Sequence, residues 1–180
     1  MNLNYKKAGL SDIDLLTATR MEVLRAVFNV TDEADLPLIE KNSYEYYRNS
    51  LKTDVHVAYL VIDKSNGTDR FAASGGISFY QIMPTCDNPD GRKAYVMNMY
   101  TRPEYRRQGI AGEVLELLIA ETLERGITCI TLDASEMGRP VYEKHGFIQM
   151  QDEMRLNPCL CKEAPKNKHL QKDNSESMGT

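Results

Sequence analysis

No apolar run in this sequence approaches the ~20 residues that a bilayer-spanning helix needs. The most apolar stretch, residues 55–62, is eight residues long and contains a histidine. No apolar run follows Lys6 and Lys7 at the N-terminus, so no signal peptide is expected, and the chain is expected in the cytoplasm and off the membrane. An excess of one charge sign is also lacking. Twenty-two basic against twenty-six acidic residues leave −4, which offers no field to attract nucleic acid or anionic lipid. Cysteine is scarce, and Cys86, Cys129, Cys159 and Cys161 follow no framework spacing. Cys159 and Cys161 with His169 fall short of a zinc site, which takes four ligands and usually two or more residues between paired cysteines. No metal is expected, and reduced cytosolic thiols are the better reading.

What is present suits one domain. Of 180 residues, 42% are hydrophobic and 27% charged, enough for a core and too apolar for a wholly disordered chain. The composition changes near residue 157. Residues 157–180 hold four lysines, three acids, two prolines and two leucines, with no aromatic or β-branched aliphatic residue. Such a segment cannot bury enough apolar surface to offset the entropy of ordering. The expected organisation is a domain over 1–156 and a polar tail over 157–180. Without the tail's charges the body keeps 18 basic and 23 acidic residues, a net −5.

Hydrophobic periodicity places the elements. A strand is expected over 3–7. Ser11 and Asp12 suit a helix start, and Ile13, Leu16, Thr17, Met21, Leu24 and Phe28 follow at helical spacing. A less regular helix is expected over 36–51. Residues 55–63 and 71–80 read as strands joined by the turn-rich segment 64–68, an antiparallel hairpin. Two prolines with Asp87, Asn88, Asp90 and Gly91 make 83–92 a loop. A strand at 94–101, a helix at 109–125 with Leu115, Ile119 and Leu123 widening its apolar face, a capping Gly126 and a buried strand at 127–132 form a right-handed parallel unit. A short helix at 139–145 and strands at 147–150 and 154–156 complete an α/β or α+β chain with a mixed sheet.

One segment carries the chemistry. Residues 97–112 (Met-Asn-Met-Tyr-Thr-Arg-Pro-Glu-Tyr-Arg-Arg-Gln-Gly-Ile-Ala-Gly) run from a strand end through a proline loop into an amphipathic helix. Gly109, Ala111 and Gly112 let a ligand approach the backbone. The free N–H groups and dipole of the first helical turn favour an anion there, and Arg106 and Arg107 add charge-assisted contacts. This reads as a diphosphate cradle; a plain helix start with surface arginines would show the same small residues. A Rossmann site is the rival, since Asp133 lies about twenty residues beyond Gly112. Its Gly-x-Gly-x-x-Gly should leave the strand directly, whereas residues 102–108 intervene here, and no lysine-bearing phosphate loop is present.

Arg106-x-x-Gly109-x-Ala111, led in by Pro103-Glu104-Tyr105-Arg106, is followed by Tyr142-Glu143-Lys144-His145-Gly146-Phe147, with a helix and a strand between. On these motifs the sequence resembles the GNAT superfamily of acyl-CoA-dependent N-acetyltransferases, most firmly over residues 94–147. The resemblance implies a mixed, mostly antiparallel sheet of six to seven strands, helices on both faces and a splayed parallel strand pair. It implies acetyl-CoA as cosubstrate. The pyrophosphate would lie on the backbone of Arg107, Gln108, Gly109, Ile110, Ala111 and Gly112 beside Arg106, and the pantetheine in the splay beside Met99, Tyr100 and Thr101. A main-chain N–H of that strand would polarise the thioester carbonyl, the amine would attack directly, and Tyr142 would protonate the departing thiolate.

Two departures from the family pattern stand out. Ser135 and Gly138 replace the asparagine and alanine often found seven and four residues before that tyrosine; Ser135 keeps a hydrogen-bonding side chain for the cofactor. Asn98 stands on the strand where many members carry a glutamate, so the base is unassigned and Asn98 can at most orient a water. Glu22 and Arg25 either border the acceptor cleft or face solvent. Tyr44, Tyr46 and Tyr47 either wall the acceptor site or pack in the core. His56 and His145 read as structural, and Glu136 as a candidate base. The expected function is transfer of an acetyl group to a primary amine of a small molecule (a polyamine, an amino sugar or an amino-acid derivative). A protein or peptide amine, or a non-catalytic CoA-binding domain, is the alternative. A homodimer is compatible with the fold but is not written in the sequence.

Overall fold

The structure, a computed structural model, describes residues 1–28, 34–65, 67–151 and 153–154, the side chains of 27 and 28 excepted. The chain divides into two units, Met1–Phe147 and Ile148–Thr180. All regular structure among the described residues lies in the first. It comprises β1 (Leu3–Lys7), α1 (Ile13–Phe28), α2 (Leu36–Lys52), β2 (His56–Asp63), β3 (Arg70–Gln81), β4 (Arg92–Thr101), α3 (Ile110–Glu124), β5 (Cys129–Leu132) and α4 (Arg139–Lys144), with 3-10 turns at Leu10–Asp12 and Pro103–Tyr105.

The strands form one sheet in the order β1-β2-β3-β4-β5, antiparallel except for the β4–β5 pair. β2 is buried at all eight positions, because helices cover both faces of the sheet. Val57, Tyr59 and Val61 join Ile110, Val114, Leu115 and Leu118 of α3 in one core. Ala58, Leu60 and Ile62 join Ile13 and Leu16 of α1 and Tyr47 of α2 in another. The continuous apolar run is thus a strand between two helical layers. Leu60 is fully buried, and truncation to alanine there would cost about 2–5 kcal/mol.

The helical faces follow the sequence with one exception. Ile13, Leu16, Thr17, Met21 and Leu24 are all buried on α1; the Phe28 side chain lies outside the described residues. On α3 the buried set is Ile110, Val114, Leu115, Leu118 and Thr122, while Leu123, expected to widen the face, is exposed. Thr122 can take a core position because its hydroxyl donates to the Leu118 carbonyl at 2.7 Å.

The sequence leads one to expect six or seven strands, and five are present among the described residues. Residues 147–151 enter no ladder, and Ile148 and Met150 are exposed. Apolar alternation makes no strand without a paired neighbour. The strand expected at 154–156 (apart from Met154, which is irregular), the tail at 157–180, Cys159, Cys161 and His169 lie outside the described residues.

Two irregularities in the sheet position the site. The β3–β4 register jumps between Ser74↔Tyr100 and Gly76↔Met97, so Asn98 and Met99 oppose Gly75 alone, a bulge in β4. Asn98 absorbs the extra residue at φ 56°, a conformation that costs a non-glycine residue roughly 1 kcal/mol or more. The glycine pair opposite makes room. A Cβ on Gly75 would lie 2.5 Å from Met99 Sδ, and one on Gly76 would lie 2.9 Å from the His56 ring. On its other side β4 pairs with β5 only from Lys93↔Cys129 to Val96↔Leu132. Beyond Val96 that edge of β4 has no strand partner among the described residues, which is the expected splay.

Candidate active site

The free β4 edge, the loop after it and the starts of α3 and α4 enclose a cleft of about 950 Å³. Met99, Tyr100, Thr101, Arg106, Arg107, Gly109, Ile110, Ala111, Gly112 and Ser135 line it, as does Tyr142. Gln108 does not; its side-chain amide turns back and donates to the Glu104 carbonyl at 3.3 Å. Glu136 lines the cleft, whereas Glu22, Arg25, Tyr44, Tyr46, Tyr47, His56 and His145 lie outside it. Sequence reasoning missed Ala26, Tyr105, Met137 and Val141. Tyr105 had a signal in its own motif; Ala26 had none, since only the return of α1 over the sheet brings it there.

The loop is tied at both ends. Tyr105 is buried, and its hydroxyl donates to Asp63 Oδ2 at 3.1 Å at the end of β2. Asp63 also accepts from the Ser65 hydroxyl and N–H, and these bonds hold its carboxyl below the usual carboxylate range. Burial, then Asp63, pushes the Tyr105 hydroxyl up. Arg106 Nε donates to the Thr101 carbonyl at 3.0 Å. Next the chain turns left-handed at Arg107 (φ 60°) and Gly109 (φ 82°) before α3 begins. Such turns make a concave nest of N–H groups. None of the N–H groups of residues 107–112 meets an acceptor among the described residues. Gly109 is open, since a Cβ there would find only Glu113 Oε1, at 3.9 Å. Unpaired donors at the positive end of a fifteen-residue helix, beside Arg106 and Arg107, make an anion cradle.

The facing wall comes from α4. The half-buried Tyr142 ring meets Phe147 edge-on, centroids 6.0 Å apart. Burial raises its hydroxyl above the ordinary tyrosine value, so the group keeps its proton at neutral pH and is available as a donor. Ser135 Oγ accepts from the Gly138 N–H at 3.2 Å and so fastens the turn into α4. A Cβ on Gly138 would lie 3.1 Å from Tyr142 Cε2 and 3.2 Å from Ser135 Oγ. The two departures at 135 and 138 are therefore coupled: glycine leaves the space that the serine turn and the tyrosine ring fill.

Residues 24–147 match the Acetyltransferase (GNAT) family. The chain belongs to that family. A predicted acetyltransferase from Clostridium acetobutylicum, crystallised with acetyl-CoA, is 37% identical, with a TM-score of 0.77 and coverage of 86% of this chain and 96% of its own. A GCN5-related N-acetyltransferase from Ralstonia eutropha shares the fold at 21% identity (TM-score 0.74, 88% and 99% covered). So does glucosamine-6-phosphate N-acetyltransferase from Arabidopsis thaliana at 17% (TM-score 0.64, 87% and 99% covered). No curated protein matches the sequence.

The other face of this acetyltransferase's sheet, under α1 and α2, carries a polar cluster. His56 is 2% exposed, with Nδ1 at 3.1 Å from Tyr46 Oη and 2.9 Å from Ser78 Oγ. Burial pushes its pKa down to about 4, so the ring is neutral. Tyr46 and Ser78 also hydrogen-bond each other. Tyr47 belongs to the core, whereas Tyr44 and Tyr46 are partly exposed. Arg20 Nη1 donates to Asn98 Oδ1 at 3.1 Å, and Glu22 is bound by Arg102; Arg25 faces solvent. His145 has a partner at each ring nitrogen, with Nδ1 2.7 Å from the Val141 carbonyl and Nε2 3.2 Å from Glu116 of α3. Among the described residues no three His, Cys, Asp or Glu side chains converge as a metal would require, and no helix is long and apolar enough to cross a membrane.

Proposed function

We propose that the protein transfers the acetyl group of acetyl-CoA to the primary amine of a small molecule. The observation that carries this reading is the unpaired N–H run over residues 107–112, set in a cleft of ligand-binding size. The acetyl-CoA bound to the Clostridium acetobutylicum relative supports it. In this reading the N–H groups of Arg107, Gln108, Gly109, Ile110, Ala111 and Gly112 take the pyrophosphate, with Arg106 beside them. Met99, Tyr100 and Thr101, on the free edge of β4, take the amide-bearing pantetheine arm, and Ser135 shapes the opposite wall. The proposed transferase domain is residues 1–156, and the proposed polar tail residues 157–180.

The chemistry asked of these residues is modest. The amine lone pair forms a C–N bond to the thioester carbonyl carbon while a backbone N–H at the β4 bulge stabilises the developing oxyanion. The C–S bond breaks as Tyr142 gives its proton to the leaving sulfur. The proton that the new amide nitrogen sheds passes to solvent and restores the tyrosine, leaving the N-acetyl amine and CoA thiol. Asn98 supplies no base on β4, because its side chain is a neutral amide bonded to Arg20. Glu136 is the carboxylate among the residues that line the cleft.

An acceptor screen with thiol-release detection tests the reading. Polyamines, amino sugars, amino acids and basic peptides are each offered with acetyl-CoA. At least one amine below peptide size should turn over, with kcat/KM rising with pH as the amine loses its proton. Turnover of the peptides alone would move the assignment to a protein amine; silence from every amine would leave the protein a CoA-binding domain.

A further inference from the structure

We infer that the acceptor carries an anionic group, a carboxylate or a phosphate, beside its amine, and that Arg20 receives it. The inference rests on the transfer reading above and narrows its acceptor.

The bulge decides which groups face the acceptor. Met99 reaches the α3 side of the sheet, where its Sδ and Val114 occupy the space beside Gly75. The preceding two residues turn to the α1/α2 side. Asn98 Oδ1 accepts from Arg20 of α1, and the Ser78 hydroxyl lies 3.7 Å from Met97 Sδ. Residues rise about 3.3 Å apiece along a strand, so this group begins within one or two residues of the cleft's Met99 end. An arm lying along β4 from the cradle would bring its acyl end to that point, and Arg20, Ser78, Tyr46 and His56 are the polar groups flanking it on the α1/α2 side.

Arg20 is the charged member of this set. It is half-buried, and its bond to the neutral Asn98 amide uses one of five N–H donors. No carboxylate among the described residues pairs with it. Glu22, two residues further along α1, holds Arg102 with both oxygens. His56 is neutral, while Tyr46 and Ser78 contribute hydroxyls. Two further polar atoms, His56 Nε2 on β2 and Thr17 Oγ1 on α1 one turn before Arg20, are buried without a partner among the described residues. A partly desolvated guanidinium that pairs with no carboxylate among the described residues attracts an anion through charge-assisted hydrogen bonds. It also repels a second cation. The net charge of −4 favours cationic acceptors at long range, but distant charges are screened beyond roughly 8 Å at physiological salt, and at contact the sign is set by Arg20.

The test uses matched amines that differ in the anion alone. Phenylalanine is compared with phenethylamine and tyrosine with tyramine for the carboxylate, and glucosamine 6-phosphate with glucosamine for the phosphate. Turnover is read by thiol release, and binding by the melting shift of the acetyl-CoA-loaded full chain. The anionic member of at least one pair should be preferred tenfold or more in kcat/KM or affinity, and which pair responds identifies the anion. Arg20→Gln should erase that preference by raising KM for the anionic member, Arg20→Lys should restore part of it, and the acetyl-CoA melting shift should persist in both. Equal use of both members in every pair, no response to any anionic probe, or an equal loss for both members in Arg20→Gln would overturn the inference, the last by assigning Arg20 to holding the bulge. Absence of any acetyl-CoA shift in the wild-type protein would instead defeat the transfer reading beneath it.

Discussion

Arg102, one residue beyond β4, presents Nε and Nη2 to the two oxygens of Glu22 on α1, each at 2.7 Å. The same guanidinium lies over the Phe71 ring at 5.1 Å, and Phe71 stacks on Tyr100 of the cleft wall. One planar fork therefore fastens α1 to the end of the strand from which the cleft is built. Glu22, whose place the sequence left open, is thus one half of an ion pair that stays about one-third exposed.

Glu22→Gln removes the charge and half of the fork. With both side chains about one-third exposed, solvent screens part of the pair, and the loss should be ~1–2 kcal/mol in urea unfolding. Arg102→Lys should cost a similar amount despite keeping the charge, because an ammonium cannot present two parallel donors. Unchanged midpoints in both variants would show that α1 is held by its apolar face alone.

His56 gives the fold a pH dependence of definite sign. Its folded pKa is lowered from 6.5 to about 4 by burial, so between those values the unfolded chain binds more protons. This contribution is complete above pH 6.5 and is lost as pH falls toward 4. Linkage gives a loss of ~2 kcal/mol between pH 7.5 and pH 5. Asp54, Asp63 and Asp90 are held below the ordinary carboxylate value of 3.8, so their contributions disappear only at lower pH. Urea unfolding at the two pH values should show the drop in the wild-type protein and a flatter response in His56→Gln. A drop of the same size in the variant would assign it to another group.

Much of this was legible because the apolar period is local. The faces of α1 and α3, the strand around Leu60 and the cap at Gly126 follow from neighbours a few residues apart. The cradle at 107–112 was legible for a related reason, since its glycine, its arginines and its helix start are consecutive. What the sequence did not reveal depends on pairing at long range. Asn98 meets Arg20 across 78 residues, and the bulge behind that contact exists only when β3 lies beside β4. The expected strand at 147–150 had the right residues but no ladder to join. Tyr46 looked like its neighbour Tyr47, yet one ring is packed in the core and the other hydrogen-bonds His56.

Tyr142→Phe separates donation from packing. If the hydroxyl protonates the leaving thiolate, kcat should fall by ~10²-fold or more, with the acetyl-CoA melting shift retained because the ring still meets Phe147. Matching kcat values for the two proteins would remove Tyr142 from the mechanism.

The central claim is that the backbone of 107–112 binds the pyrophosphate of acetyl-CoA, and a melting titration of wild type beside Gly109→Glu addresses it most directly. Gly109 is open and left-handed, so glutamate would place a negative side chain at the anion cradle and strain the turn, while Gly109→Ala keeps the strain without the charge. At a hundredfold excess over its dissociation constant, acetyl-CoA should stabilise the wild-type protein by ~2.7 kcal/mol. It should shift the alanine variant less and leave the glutamate variant unmoved. A wild-type melting curve indifferent to acetyl-CoA, or a glutamate variant that responds as the wild type does, would contradict the account.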